Sequence, residues 1–329
     1  MGDKHFTYVT DNLEEVCSKL RFLLENAVKK DLAEGILLSG GLDTSILAVI
    51  ASKFIPLKAV TVAFQNAPAP DVEYATLIAN KLGLKHNIHI FNVDELYDAI
   101  PIVVKSLRSF DPMEIRNSIT IYVGLRVAKE EGISTVMTGD GCDELLAGYS
   151  FLFGLEKEKL DLELEKLWSV MSFSSVPLAK VLGMEAKLPY LDPDFKNLAI
   201  KMDSRYKIGA KSGQVYGKWI LRKAFEGFLP KKIVWRIKTP IEYGSGTTML
   251  TNFFNQKISD LEFESKRKKY LTEDGVTIRD KEQLFYYEAY KSVAGIPHTT
   301  SVEGKICPQC HSNIPEKATY CRTCGAYPI

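Results

Sequence analysis

The run Leu37-Leu38-Ser39-Gly40-Gly41-Leu42-Asp43-Thr44-Ser45 restricts the fold of this chain more than any other stretch. The apolar residues from Gly35 to Leu38 read as a buried strand, and those from Ile46 to Phe54 recur at helical spacing. A strand, a double-glycine turn and a helix start together make a cradle for phosphate. Successive N–H groups point into the turn, and the helix N-terminus adds partial positive charge. A Cβ at Gly40 or Gly41 would keep the backbone from approaching an anion. The run has neither the lysine of G-x-x-x-x-G-K-[ST] nor the spacing of G-x-G-x-x-G. An acid inside an anion cradle repels phosphate, so Asp43 fits where a cation, Mg²⁺ by preference, lies between it and the nucleotide. The plain alternative is an ordinary glycine-rich strand-to-helix turn.

Strand and helix patterns alternate from residue 34 to 138. A helix over 12–32 precedes the first strand. Strands follow at Leu57–Phe64, His86–Phe91 and Ile133–Met137, with helices at Asp71–Leu82, Asp94–Arg108 and Ser118–Glu131 between them. His86 and His89 alternate with Ile88 and Ile90, which reads as solvent-facing histidines on a strand. The pattern predicts an α/β fold, a doubly wound parallel sheet with its ligand site at the carboxyl ends of the strands. The last of these strands delivers Thr138-Gly139-Asp140-Gly141-Cys142-Asp143-Glu144, two glycines and three acids, beside the first loop. Asp143 is then a second Mg²⁺ ligand opposite Asp43, or the stretch is a solvated acidic turn that favours a helix start. Beyond residue 150 the chain reads as helical, at Leu155–Met171, Asp194–Met202, Val215–Phe228, Met249–Asp260 and Lys281–Ala294. The basic run Lys266–Lys269 reads as a solvated face.

The net charge of +1 over 329 residues is not that of a dedicated nucleic-acid binder. No apolar run is long enough for a membrane span, and the N-terminus lacks a signal-peptide core, so a cytoplasmic protein without membrane contact is expected. Of six cysteines, Cys17 and Cys142 stand alone and the rest form Cys307-x-x-Cys310 and Cys321-x-x-Cys324. Two such turns place four thiolates for one tetrahedral ion, Zn²⁺ by preference, in a small ribbon at 306–329 that has too little core to fold without its metal. Gly295–Lys305 reads as a linker, so 1–295, 296–305 and 306–329 are expected as body, linker and ribbon. The ribbon could dock a partner, contact RNA or tie down the C-terminus.

The loops at Ser39–Ser45 and Gly139–Tyr149, with Phe110-Asp111-x4-Arg116, Glu185–Asp192, Trp219–Ala224 and Leu229-Pro230-x4-Trp235-Arg236-x-Lys238, resemble the synthetase domain of the asparagine synthetase family. The likeness runs from about 12 to 293, and the segment Lys238–Thr248 looks closer to the β-lactam synthetases that share the domain. It implies an adenine nucleotide α-hydrolase-like fold, ATP as cosubstrate, and an amide ligase that adenylates a carboxylate and passes the acyl group to ammonia or another amine. By resemblance, Leu38, Ser39, Gly40, Gly41, Asp43, Thr44, Ser45, Val62, Thr138, Gly139 and Asp143 hold the nucleotide. Lys238 stabilises developing charge, and Asp140 stands near the attacking amine, where many members carry Glu. Arg116 faces the acyl substrate, joined by Tyr149. Arg222 is ambiguous, since an arginine on an amphipathic helix can simply snorkel.

Met1 is followed by Gly2 and only a short segment precedes the first loop, so the family's glutaminase nucleophile is not expected in this chain. Free ammonia, another amine donor or a glutaminase subunit would then serve it. A homo-oligomer is among the assemblies the sequence leaves open. The rival functional readings are a pyrophosphate-loop enzyme that adenylates a tRNA base, and a catalytically silent nucleotide sensor.

Overall fold

Along the strand Lys58–Phe64 the side chains divide by alternation: Val60, Val62 and Phe64 enter one core, while Leu57, just before it, and Ala59 enter another. A strand buried on both faces is the mark of a sheet covered by helices on each side. The computed structural model describes residues 13–298, 304–316 and 318–329, and the expected loose start over 1–11 lies outside them. Its main sheet has five parallel strands in the order β3-β2-β1-β4-β5. These are β1 (Gly35–Leu37), β2 (Lys58–Phe64), β3 (Lys85–Phe91), β4 (Thr135–Met137) and β5 (Glu185–Lys187). The helices are α1 (Leu13–Lys30), α2 (Leu42–Ala51), α3 (Pro70–Leu82), α4 (Val93–Leu107), α5 (Pro112–Glu130) and the single turn α6 (Cys142–Leu145). Leu20, Leu24 and Val28 of α1 pack with Ile46 and Ile50 of α2 on one face. Val103 and Ile119, from α4 and α5, cover the other.

The chain moves outward from β1 to β2 and β3, then returns to the opposite side of β1 as β4. The loops after β1 and β4 therefore part from each other at the carboxyl edge, and a crevice opens between them. The expected doubly wound fold is present, with one strand more than the pattern showed. β5 reads Glu185-Ala186-Lys187, without the apolar run that marks the equally short β1 and β4.

Two other expectations are corrected. Val215–Phe228 is not one helix. It opens as the second strand of a hairpin, β6 (Ile208–Lys211) with β7 (Gln214–Gly217), and only then becomes the helix Trp219–Ala224. On β3 it is Ile88 and Ile90 that are exposed, at 39% and 51%, while His86 and His89 are half-buried. The His86 ring bonds Thr61 Oγ1 at 2.8 Å and His89 bonds Glu95 at 2.7 Å, so nearby polar partners draw the imidazoles off the solvent face. Lys266–Lys269 lies on a solvated helix, Asp260–Asp274, where Lys266, Arg267 and Lys269 pair with acids.

The C-terminal segment carries a two-residue ladder, β8 (Lys305–Ile306) with β9 (Asn313–Ile314). Its cysteines join the core formed by α4, α5 and the helix Lys281–Ala294, so the ribbon is packed into the body. Half of the expected linker, residues 299–303, lies outside those described. No described helix is long and apolar enough to cross a membrane.

Candidate active site

The first loop owes its shape to contacts only glycine permits. Gly40 has φ of +63°, and a Cβ there would stand 2.2 Å from the carbonyl carbon of Tyr74. Both facts exclude a side chain. The Gly41 N–H donates to Ser39 Oγ at 3.2 Å, and Ser39 Oγ shares a 3.1 Å hydrogen bond with Thr44 Oγ1. The turn is tied down from outside as well. Tyr190 Oη donates to the Asp43 carbonyl at 3.0 Å, and Arg236 Nη1 donates to the Ser39 carbonyl at 3.1 Å. Arg236 is anchored by Asp71 at 2.5 Å and lies 4.0 Å over the Tyr74 ring.

The second loop meets the first as expected. Gly139 lies so close that a Cβ would be 3.1 Å from Asp43 Cβ. Asp43 and Asp143 come together, and a residue the sequence reading missed stands between them. Lys218 Nζ is 2.5 Å from Asp43 Oδ2 and 2.7 Å from Asp143 Oδ1, with its side chain only 3% exposed. Lys238 Nζ lies 3.2 Å from Asp143 Oδ2. Burial alone would push the Asp143 carboxyl up, but the two ammonium groups outweigh it and hold the group below the usual carboxylate range. Lys218 is raised despite its burial, because both aspartates favour its charged form. The β6–β7 hairpin delivers it: Lys218 follows β7 with φ of +54°, and its N–H donates to the Leu146 carbonyl at 2.9 Å. Arg222, left ambiguous by its helix face, is buried and donates to the carbonyls of Gly217, Val234 and Arg236. It fastens the Lys218 hairpin to the segment that ends at Lys238.

A cleft of about 850 Å³, its open mouth included, lies at this junction. Val62, Leu38, Ile121 and Gly124 give it an apolar side, and Asp43, Thr44, Thr138, Gly139, Asp140, Asp143 and Lys238 a polar one. A second cleft of about 480 Å³ borders it and is cationic, with Lys218, Arg222, Arg236 and Lys238 around Gly41 and Asp43. The pair suits a ligand with a flat apolar end and an anionic tail. Asp43 Oδ1 is buried without a hydrogen-bond partner among the described residues. Such an orphaned carboxylate oxygen, beside a second acid, fits a hard divalent cation such as Mg²⁺, and Asp43 and Asp143 are the residues that could hold it.

Asp140 lines the cleft. Its Oδ2 accepts hydrogen bonds from Thr138 Oγ1 at 2.9 Å and from Ser175 Oγ. Burial raises its pKa against the lowering effect of those hydroxyls. Ser45 is fully buried beneath the loop. Four expected residues are absent from the linings of both clefts, Gly40 and Ser45 of the first loop and, farther along the chain, Arg116 and Tyr149. Arg116 is absent from the lining of both clefts, and its guanidinium is held by Glu242 at 2.6 Å and Glu282 at 2.7 Å. Two carboxylates already neutralise its charge in this structure. Tyr149 also lies off both linings and donates to Glu144 Oε1 at 2.6 Å.

The four C-terminal cysteines converge. Their Sγ atoms all lie within 4.8 Å of one another, with Cys307–Cys324 at 3.6 Å and Cys310–Cys321 at 3.7 Å. A tetrahedron of metal–sulfur bonds about 2.3 Å long has an edge of about 3.8 Å, so the set fits one Zn²⁺ and is too open for disulfides.

Strand order and cleft define a doubly wound α/β protein with a cleft at the switch point of its sheet. More narrowly, the chain belongs to the asparagine synthase family, whose family model matches residues 19–180 and 177–293. It is 30% identical over 314 residues to asparagine synthetase B (glutamine-hydrolyzing) of Escherichia coli, covering 88% of this chain and 56% of that one. It is 31% identical over 308 residues to the glutamine-hydrolyzing asparagine synthetase of Gallus gallus, covering 85% and 53%. The chain thus spans about half the length of these relatives. Among solved structures, the NMN synthetase of Francisella tularensis covers 89% of this chain and 99% of its own at 14% identity, with a TM-score of 0.37.

Proposed function

We propose that this chain is an ATP-dependent, AMP-forming amide ligase that activates a carboxylate and transfers the acyl group to ammonia or another amine. The observation that carries this reading is the convergence of Asp43, Asp143 and Lys238, from three distant stretches, around one cleft. The apolar side at Val62 and Leu38 takes the adenine, and the glycine turn with Ser39 and Thr44 takes the phosphates. Mg²⁺ held by Asp43 and Asp143 would neutralise the charge of the pyrophosphate portion.

In the first step a carboxylate oxygen bonds the α-phosphorus, and the bond from that phosphorus to the bridging oxygen breaks, releasing pyrophosphate. Negative charge builds on an already anionic centre. Lys238, at the border of the two clefts, stabilises it from a fixed position. Lys218 and Arg236 keep the departing end of the ligand in a cationic surrounding. In the second step the amine nitrogen bonds the acyl carbon, the bond from that carbon to the oxygen bridging it to phosphorus breaks, AMP departs with that oxygen, and the nitrogen gives up a proton. Asp140 is the candidate acceptor. Both hydroxyl donors bond its Oδ2, which leaves Oδ1 for the amine, and its raised pKa improves it as a base.

Exchange of labelled pyrophosphate into ATP, run with a panel of carboxylates, tests the reading. The wild type should exchange with at least one acid, and Asp43→Asn should not. No exchange with any acid, together with unchanged ATP binding by Asp43→Asn, would overturn it and favour a sensor. Tight, salt-dependent tRNA binding would instead favour adenylation of an RNA base.

A further inference from the structure

The second knuckle of the four-cysteine site meets the body through its backbone. Four consecutive carbonyls, those of Arg322, Thr323, Cys324 and Gly325, each accept a hydrogen bond from it. Ser109 Oγ donates to Arg322 at 2.7 Å and the Phe110 N–H to Thr323 at 2.7 Å. Gln283 Nε2 donates to Cys324 at 2.7 Å, and Arg279 donates to Cys324 at 2.9 Å and to Gly325 at 2.7 Å. Ser109 and Phe110 lead into α5, while Arg279 and Gln283 lie at the start of the helix Lys281–Ala294. The knuckle therefore sets these two helix starts against each other.

What those starts carry reaches the cleft. Arg116 on α5 pairs with Glu282 of the second helix and with Glu242, and the Glu242 N–H donates to Asn117 Oδ1 at 3.0 Å. Glu242 belongs to the turn Ile241–Ser245, whose Ile241 and Ser245 line the cleft a few residues beyond Lys238. On another side, Arg322 Nη2 donates to the Ser172 carbonyl at 3.1 Å, three residues before the Ser175 that holds Asp140.

We propose that a metal ion at Cys307, Cys310, Cys321 and Cys324 is the positioning element of this cleft. By fixing the second knuckle it sets the Arg116–Glu242–Glu282 cluster, and through it the wall that carries Lys238. Neither the metal nor the cysteines touch the ligand. They act through Arg279, Gln283 and Arg116. A thiolate knuckle without its ion loses the geometry that aligns four carbonyls in a row. Only the activity arm of the test rests on the ligase reading.

The test is hydrogen exchange read by mass spectrometry on the full chain, before and after a chelator removes the ion, with release followed by a chromophoric zinc indicator. Amides of 109–120 and 238–248 should exchange about tenfold faster after removal, β1 and β2 should be unchanged, and added Zn²⁺ should restore the first state. If the stripped chain unfolds, the double variant Arg279→Ala/Gln283→Ala replaces it. That variant keeps all four thiolates, and should loosen the same segments with its metal still bound. In pyrophosphate exchange it should lose about tenfold in kcat while the KM for ATP holds, because Val62 and the glycine turn do not depend on the knuckle. Faster exchange confined to 304–329, or a double variant with wild-type protection at 238–248, overturns the proposal. A wild type inactive with every acid would contradict the ligase reading and leave the exchange experiment intact.

Discussion

Lys218 Nζ lies 2.5 Å from Asp43 and 2.7 Å from Asp143, so one buried ammonium joins the two acidic loops that flank the switch point. Losing one member of a buried ionic group costs about 3–5 kcal/mol, because the remaining charges stay behind without water. Lys218→Met should therefore lose about that much stability in metal-free buffer. Mg²⁺ should recover part of it by replacing the missing positive charge. Urea unfolding with and without Mg²⁺ checks this, and a variant indifferent to Mg²⁺ would show that Asp43 and Asp143 do not share a cation site.

That lysine was hidden from the sequence reading, and the reason is physical. The two loops were legible because each is a local pattern in which glycines, hydroxyls and acids follow a strand. Lys218 depends on a hairpin whose second strand is only four residues long, and Val215–Phe228 fitted a helical period as well as a strand followed by a short helix. The turn at Ser212-Gly213 was the available signal. Arg116 is a different case. Its residue type suited a carboxylate, but Glu242 and Glu282, which occupy it, lie 126 and 166 positions away. No local pattern carries such a pairing.

Arg116→Ala should destabilise the chain by about 3–5 kcal/mol, since Glu242 and Glu282 would remain buried with no cation between them. The triple variant Arg116→Met/Glu242→Gln/Glu282→Gln, which removes both stranded charges, should recover most of the loss and keep the wild-type KM for the carboxylate. Thermal unfolding and steady-state kinetics measure both. A triple variant that folds but no longer saturates with the acid would return Arg116 to the substrate.

Gly148 packs against the ionic cluster, and a Cβ on it would fall 1.8 Å from Asp143 Oδ1 and 2.5 Å from Lys218 Cε. Gly148→Ala must displace Asp143. It should cost at least about tenfold in pyrophosphate exchange, a change of roughly 1.4 kcal/mol in the barrier. Gly183→Ala, at a left-handed position with open space around it, is the control for backbone strain alone and should leave the exchange rate unchanged.

Lys207 gives a pH dependence. Its side chain is fully buried, Nζ has no hydrogen-bond partner among the described residues, and it sits 4.6 Å over the Trp168 ring. Burial pulls its pKa down to about 7, against the raising effect of Asp161 and Asp203. In the unfolded chain it titrates near 10.5. Between these values the unfolded state binds more protons, so this group makes stability rise with pH. Below pH 7 both states are charged and the folded one bears the full penalty. Lys207→Met should stabilise the protein by on the order of 1–4 kcal/mol at neutral pH, and the advantage should shrink toward pH 10. Urea unfolding across that range checks the slope, and parallel curves for the two proteins would contradict it.

In the proposed reaction a carboxylate oxygen attacks the α-phosphorus of ATP between Asp43, Asp143 and Lys238. The most direct measurement supplies the carboxylate labelled with heavy oxygen and reads the AMP by mass spectrometry. One labelled oxygen should pass to AMP for each amide formed, and Lys238→Met should suppress transfer and amide together. Amide formed with unlabelled AMP, or with the label in inorganic phosphate, would contradict the account.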